Sequence, residues 1–136
     1  MSYNFEQNYK LHGSTVMSFV ALVTNRFDEV TRFYGELLGF PIVKQWDRSN
    51  ARGQRFDTGG MRLEIIDNER EQHECELGAS SNKFHIVVEV DDIEDARQRI
   101  DVEAPPARET SWGARLFQVR DPDGVPVTFL EWIETG

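Results

Sequence analysis

The stretch FVALVTNRFDEVTRFYGELL, residues 19–38, decides the fold of this protein because the chain repeats its pattern once. Its first residues are apolar and typical of a strand, and an amphipathic helix follows them. Asn25 is placed to cap that helix, and Gly39 is placed to end it. The apolar residues of the helix recur at the spacing of one helical face: Phe27, Val30, Phe33 and Leu37.

The second copy is KFHIVVEVDDIEDARQRI, residues 83–100. A strand again runs into a helix, with Asp91 as the predicted cap and Glu94 three residues later. Adding 66 to the first copy places Phe27 on Ile93, so the apolar faces of the two helices coincide. A repeat of this length indicates one supersecondary unit present twice.

The ends of the two copies also match. GGMRLEIID, residues 59–67, falls on DGVPVTFLE, residues 123–131, when 64 is added. Between helix and end, RGQRF at 52–56 resembles WGARLF at 112–117. Each copy therefore predicts a βαβββ module, and the chain predicts an α+β fold.

The predicted organisation is an N-terminal arm at 1–16, a module at 17–66, a polar linker at 67–82 and a second module at 83–133, all in one structural domain. Predicted strands lie near 17–24, 40–46, 53–58 and 61–66, then near 84–90, 105–109, 114–120 and 125–132, with helices over 27–38 and 92–101. One helix covers only one face of a sheet. The other face is left for the second copy, another chain or a ligand, which predicts a concave cleft.

The composition narrows the possible partners. The 136 residues carry a net charge of −9, which opposes binding to nucleic acid or to anionic membranes. No apolar run approaches the roughly 20 residues that span a bilayer, and the polar N-terminus does not resemble a secretory signal. The single cysteine, Cys75, suits a reducing compartment, so we expect a cytoplasmic protein.

The two modules together resemble the vicinal oxygen chelate superfamily, which includes glyoxalase I, extradiol dioxygenases, fosfomycin-resistance enzymes and bleomycin-resistance proteins. The resemblance rests on FVALVTNRFDEVTRFYGELLGF, FHIVVEVDDIEDA and WGARLFQVRDPDGVPVTFLE and covers residues 17–133. Its last segment is most similar to the bleomycin-resistance branch. The resemblance implies two tandem βαβββ modules that form a concave mixed β-sheet cleft, usually in a homodimer with or without exchanged modules.

In metal-using members, four strand positions converge on the cleft. The resemblance places them at Phe19, Glu64, His85 and Thr128, and the internal offsets of 66 and 64 give the same two pairs. A phenyl ring cannot bind a metal, and a neutral hydroxyl is a weak ligand beside imidazole or carboxylate. A catalytic site usually needs three good protein donors. We therefore favour the absence of a metal cofactor; the alternative is Ni, Zn, Mn or Fe held by Glu64, His85 and a third donor.

Other residues are candidates for ligand contact. Glu64 and His85 are candidate catalytic residues, as a metal-free acid–base pair, if they lie within hydrogen-bonding distance. Trp112 either stacks on a ligand or lies at a rim or dimer interface, and Trp46 has the same alternatives. Arg62 either binds an anion or balances Glu64.

The sequence thus favours a metal-independent protein that binds a small amphipathic or cationic ligand, for sequestration or transport, over an enzyme. Its expected ligand-binding residues are Phe19, Arg62, Glu64, His85, Trp112 and Thr128. The alternative is a metal-dependent, glyoxalase-like lyase or isomerase or a dioxygenase-like enzyme that uses Glu64 and His85. A third class, a protein-interaction module, fits less well because paired modules with a lined cleft suggest a ligand.

Overall fold

A computed structural model describes residues 18–70, 76–79 and 83–133 of the chain. It contains two four-stranded sheets, each with one helix, and confirms the predicted α+β fold of two βαβββ modules. The predicted N-terminal arm and Cys75 lie outside the described residues. Among the residues described, no helix is long and apolar enough to cross a membrane.

The first module contains β1 (Phe19–Thr24), α1 (Phe27–Arg32), β2 (Ile42–Arg48), β3 (Ala51–Asp57) and β4 (Arg62–Asp67). The second contains β5 (Ile86–Glu89), α2 (Ile93–Arg99), β6 (Arg108–Glu109), β7 (Ala114–Arg120) and β8 (Pro126–Trp132). A π-helical turn, Phe33–Leu37, continues α1, and a 3-10 turn, Asn68–Arg70, follows β4.

The two sheets have the same strand order, β1-β4-β3-β2 and β5-β8-β7-β6. The first strand of each module pairs in parallel with the last, and the remaining pairs are antiparallel. Ala21 lies opposite Glu64 in one sheet, and Val87 lies opposite Thr128 in the other. These pairs are related by the offsets of 66 and 64, so the repeat found in the sequence is a repeat of strand register.

The register corrects one part of the repeat. Arg55 of β3 lies opposite Glu64, and Gln118 of β7 lies opposite Thr128. Arg55 therefore corresponds to Gln118, at an offset of 63, and Phe56 corresponds to Val119 rather than to Phe117. The similarity of RGQRF to WGARLF misaligned these strands because both contain an arginine and a phenylalanine close to a glycine.

The predicted cap of each helix is misplaced by one residue. Asp92, not Asp91, caps α2: its carboxylate accepts hydrogen bonds from the backbone N–H groups of Glu94 and Asp95, both at 3.1 Å. In α1 the cap position is Arg26 rather than Asn25, and its side chain makes no capping hydrogen bond. α1 nevertheless begins at Phe27, as predicted, whereas α2 begins at Ile93, one residue after the predicted start.

The predicted strand at 105–109 shortens to the two residues of β6. Pro105 and Pro106 lack the N–H group that a strand donates to its neighbour, so pairing begins only after them. β6 is the edge of the second sheet, where a short strand limits unwanted pairing with other chains.

One hydrophobic core joins the two modules. Alternate residues of each sheet point towards the helices and are buried, including Leu63 and Ile65 in β4 and Val127 and Phe129 in β8. A buried hydrogen bond also links the modules: the hydroxyl of Tyr34 donates to Oδ2 of Asp121 over 2.7 Å. The core therefore contains residues of both sheets and both helices.

Candidate functional site

Each sheet has an open face, which is the side turned away from its helix. The alternation of burial identifies it: Ile86 and Val88 are buried in β5, whereas Val87 is 49% exposed. In the first sheet the open face comprises Phe19, Ala21, Lys44, Trp46, Gly53, Arg55, Arg62 and Glu64. In the second it comprises Val87, Glu89, Leu116, Gln118, Thr128, Leu130 and Trp132.

Arg55 organises the first open face. Its Nε and Nη2 groups both donate to Oε1 of Glu64, over 2.9 and 2.6 Å. Its guanidinium lies over the ring of Phe19, 4.2 Å from the centroid, in a cation–π contact. The structure therefore brings two expected site residues, Phe19 and Glu64, into one cluster, and the residue that joins them is an arginine on the neighbouring strand.

The corresponding contact in the second sheet is neutral. Nε2 of Gln118 donates to the hydroxyl of Thr128 over 2.9 Å, and Thr128 is buried. Because Gln118 corresponds to Arg55 and Thr128 to Glu64, the same pair of positions carries a charged hydrogen bond in one module and a neutral one in the other. These hydrogen bonds join Glu64 and Thr128 to side chains of their own sheets.

His85 lies immediately before β5, whose first residue, Ile86, pairs with Val127. The side chain of His85 is exposed. It thus stands at the end of β5 next to the open face, at the position that the repeat assigns to Phe19.

Arg62 also lies on the first open face, opposite Phe19 in the ladder between β1 and β4. The ion pair of Glu64 is made by Arg55. Arg62 instead lies opposite Asp57. The backbone N–H groups that follow Asp57 are the main cause of a lowered pKa of its carboxyl group, and the charge of Arg62 contributes to that lowering.

Two tryptophans form an exposed aromatic pair at the end of the second open face. Trp112 is 57% exposed and Trp132 is 54% exposed, and their ring centroids are 5.7 Å apart in an edge-to-face arrangement. The indole N–H of Trp132 donates to Oε2 of Glu89 over 3.1 Å. This arrangement provides an apolar surface with a carboxylate at its border, which suits a planar ligand.

Trp46 packs over the backbone of Gly53, the residue opposite it in β3. A Cβ atom at Gly53 would collide with the six-membered ring of Trp46, so only glycine leaves room for this contact. Nζ of Lys44 lies over the ring of Trp46, 5.8 Å from its centroid. Trp46 therefore has a structural role in the first sheet.

Comparison of the sequence with protein families identifies the family of this chain. Residues 16–129 match the family model described as the glyoxalase/bleomycin resistance protein/dioxygenase superfamily. The chain belongs to this superfamily. The match covers both modules, which agrees with the repeated strand register and with the resemblance seen in the sequence.

Several solved structures share the fold of this superfamily member. A glyoxalase/bleomycin resistance protein/dioxygenase from Nocardioides is 20% identical with a TM-score of 0.66, and the match covers 100% of this chain and 96% of that one. Lactoylglutathione lyase from Agrobacterium tumefaciens is 16% identical with a TM-score of 0.61, over 88% and 96%. The fosfomycin resistance protein FosX from Listeria monocytogenes is 16% identical with a TM-score of 0.62, over 87% and 93%. At these identities the likeness establishes the fold alone. No curated protein sequence matches the chain.

The open faces of this superfamily member do not fit a catalytic metal at the positions that the resemblance indicates. Within residues 18–70, 76–79 and 83–133, no three His, Cys, Asp or Glu side chains are grouped so as to hold a metal ion. The carboxylate of Glu64 is already bound by a guanidinium, so an added cation would meet a like charge. Phe19 offers no lone pair and lies beneath that same guanidinium.

Three residues of these faces were not recognised in the sequence: Arg55, Gln118 and Trp132. Alternation from Gly53 places Arg55 on the open face, but its contact with Glu64 depends on which residues of β3 and β4 lie opposite each other. The same holds for Gln118 and Thr128. Trp132 was recognisable as the next open-face residue after Thr128 and Leu130 along β8.

Proposed function

We propose that this superfamily member binds a small amphipathic ligand without a metal ion and acts by sequestration or transport. The observation that supports this proposal most directly is the ion pair of Arg55 with Glu64. A guanidinium stands beside the carboxylate that a metal would need, with Phe19 below it. The negative charge of Glu64 is thus balanced by Arg55, without a divalent ion.

The second open face supplies the apolar part of the proposed site. The aromatic pair of Trp112 and Trp132 gives a planar ligand a surface on which to stack. Glu89, which accepts the indole hydrogen bond, places a negative charge at the edge of this surface. A ligand with an aromatic ring and a cationic or hydrogen-bonding group would match it.

A homodimer is part of the proposal. Phe19, Val87, Trp112 and Trp132 leave large apolar surfaces open to solvent in the single chain. Adjacent exposed apolar groups of this size typically mark a ligand or subunit interface. A second copy placed over the open faces would turn them into the walls of a cleft, in a protein that we expect to be cytoplasmic.

The alternative function is catalysis by Glu64 and His85 with a bound divalent ion. The structural relatives include proteins titled lactoylglutathione lyase and fosfomycin resistance protein, so the fold is compatible with it. This alternative requires Arg55 to release Glu64 and a third donor to approach. It therefore predicts a measurable affinity for metal, whereas the binding proposal does not.

Metal content distinguishes the two functions. The untagged protein is exposed to Ni, Zn, Mn, Fe and Co, loose ions are removed, and metal per chain is measured by elemental analysis. The binding proposal predicts a content far below one ion per chain. Glu64→Ala and His85→Ala test the alternative, and Asp123→Ala, at the turn before β8, is a control carboxylate outside the open faces.

A near-stoichiometric metal that is lost in Glu64→Ala and His85→Ala but kept in Asp123→Ala would overturn the binding proposal. If no metal is retained, a thermal-shift screen of aromatic amines and carboxylates should reveal compounds that raise Tm. Trp132→Ala should weaken binding of the best compound roughly tenfold or more, because the aromatic ring of the compound can no longer stack on the indole of Trp132.

A further inference from the structure

Among the described residues, the guanidinium of Arg55 has donors that no hydrogen bond uses. Five N–H groups are available on an arginine side chain, and Glu64 accepts from only two of them, at one oxygen. Within the part of the chain that the structure describes, Nη1 makes no hydrogen bond. The Arg55 side chain is 21% exposed and belongs to the open face, so part of it is accessible there.

The surroundings of Arg55 are more basic than the protein as a whole. Lys44 lies directly opposite Arg55 in the ladder of β2 and β3, and Arg62 lies two residues from Glu64 on the same face. Three cations and two carboxylates, Glu64 and Asp57, thus share this part of the first open face, so its formal charge is positive in a chain whose net charge is −9. Local positive charge in an acidic protein attracts an anion to one place.

We propose that Arg55 binds an oxyanion of the ligand, a carboxylate or a phosphonate, through its Nη1 edge. This inference rests on the proposed function and specifies one end of the ligand. The guanidinium is fixed from two sides, by Glu64 through hydrogen bonds and by Phe19 through the ring contact. A planar donor group held in this way loses little conformational entropy when two oxygens bind to it.

At the equivalent position of the second open face, Gln118 replaces Arg55. One amide donor of Gln118 is used by Thr128. The two open faces therefore offer different groups to a ligand: the first offers the Arg55 guanidinium, and the second offers the aromatic pair of Trp112 and Trp132. A ligand that spans both faces would carry its oxyanion towards Arg55 and its ring towards Trp132.

The experiment compares ligands that share a ring and differ in charge. Benzoate, phenylphosphonate, benzamide and benzamidine are titrated into the full-length protein, and binding is followed by calorimetry and by tryptophan fluorescence. Benzoate or phenylphosphonate should bind more tightly than benzamide, and benzamidine should be the weakest of the four at the Arg55 site. The comparison of the two anions shows which oxyanion geometry the guanidinium prefers.

Three variants test the role of Arg55. Arg55→Gln introduces the residue that the other module carries at the same position and should weaken benzoate roughly tenfold or more. Arg55→Lys keeps the charge without the fork and should recover only part of that loss. Glu64→Gln removes the competing carboxylate and should tighten benzoate several-fold, a gain that loss of structure would not produce.

Arg115→Gln is the matched control, because Arg115 forms an arginine–carboxylate pair with Glu131 away from the open faces. It should leave benzoate affinity unchanged. The proposal is overturned if benzoate does not bind, if Arg55→Gln binds it as well as wild type does, or if Glu64→Gln weakens it. If benzamide or benzamidine then still binds in a Trp132-dependent way, the proposed function stands without this anchor; a retained stoichiometric metal would instead remove the proposed function itself.

Discussion

Replacing Tyr34 by phenylalanine tests how the two modules are held together. Tyr34 is fully buried, and its hydroxyl donates to Oδ2 of Asp121, which is 5% exposed, over 2.7 Å. A hydrogen bond to a charged acceptor contributes about 1.5–3 kcal/mol. The backbone N–H groups of Asp123 and Val125 still donate to Oδ1 of Asp121 in the variant. We therefore expect Tyr34→Phe to lower the free energy of unfolding by about 2 kcal/mol near pH 7.

The pH dependence provides a second, independent readout. Burial, reinforced by the charge of Asp121, raises the pKa of Tyr34 above its ordinary value of 10.0. Above that pH the unfolded chain loses the tyrosine proton while the native protein keeps it. The unfolded state then binds fewer protons, so stability falls as pH rises, by about 1.4 kcal/mol per pH unit for one group. Phenylalanine cannot titrate, so the advantage of wild type over Tyr34→Phe should shrink above pH 10.

Urea unfolding of both proteins at equal concentration, at pH 7 and in steps above pH 10, measures these differences. Only the difference between the two proteins is interpreted, because lysines also titrate in this range. A loss below about 0.5 kcal/mol at pH 7 would refute the reasoning, since it is less than a neutral hydrogen bond contributes. A difference that stays constant above pH 10 would refute the assigned pKa shift. A double-mutant cycle with Asp121→Asn should give a coupling of about 1–2 kcal/mol.

Three further substitutions test the fold around the site. Arg52→Ala leaves the buried carboxylate of Asp67 without the hydrogen bond from Nε and the ion-pair contact of Nη2, both at 2.9 Å. It should cost about 2–4 kcal/mol in urea unfolding, less than for a fully buried pair because the Arg52 side chain is 25% exposed. Gly53→Ala forces a Cβ against the Trp46 ring and should cost about 1–3 kcal/mol, with a shifted tryptophan emission maximum. Asp92→Ala removes the cap of α2 and should cost about 1 kcal/mol in the same assay.

Matched controls are available for each of these variants. Arg115→Gln disrupts a more exposed ion pair and should cost less than about 1 kcal/mol. Gly78→Ala places a Cβ in open space and should change stability by less than about 0.5 kcal/mol. For the cap, Asp91→Ala at the neighbouring position should have little effect. If Asp91→Ala proved as costly as Asp92→Ala, or Arg115→Gln as costly as Arg52→Ala, the corresponding structural assignment would be wrong.

Much of the fold followed from local patterns. The helix faces and the offset between Phe27 and Ile93 were correct because the period of apolar residues is a property of neighbouring positions. The offset between Glu64 and Thr128 was correct for the same reason, since strand alternation decides which residues share a face. The helix caps were misplaced by one residue because Asn25 and Asp91 are polar and lie next to the true cap positions, Arg26 and Asp92.

The candidate site was predicted only in part. Phe19, Glu64 and Thr128 lie on the open faces, where the repeat and the resemblance placed them. Arg55 was not recognised, although it determines the charge around Glu64. Its importance depends on a contact between β3 and β4, and the sequence analysis made no prediction of the register of those strands.

The sequence by itself determined the two modules, their strand and helix order, and the replacement of metal-binding residue types by phenylalanine and threonine. These follow from side-chain chemistry and from periodicities of 2 and 3.6 residues, which are local. Only the tertiary structure decided the partners: Arg55 for Glu64, Gln118 for Thr128, and Tyr34 for Asp121, 87 residues away. Such pairs depend on how strands align and how two modules pack against one core, and neither is encoded in the neighbours of a residue.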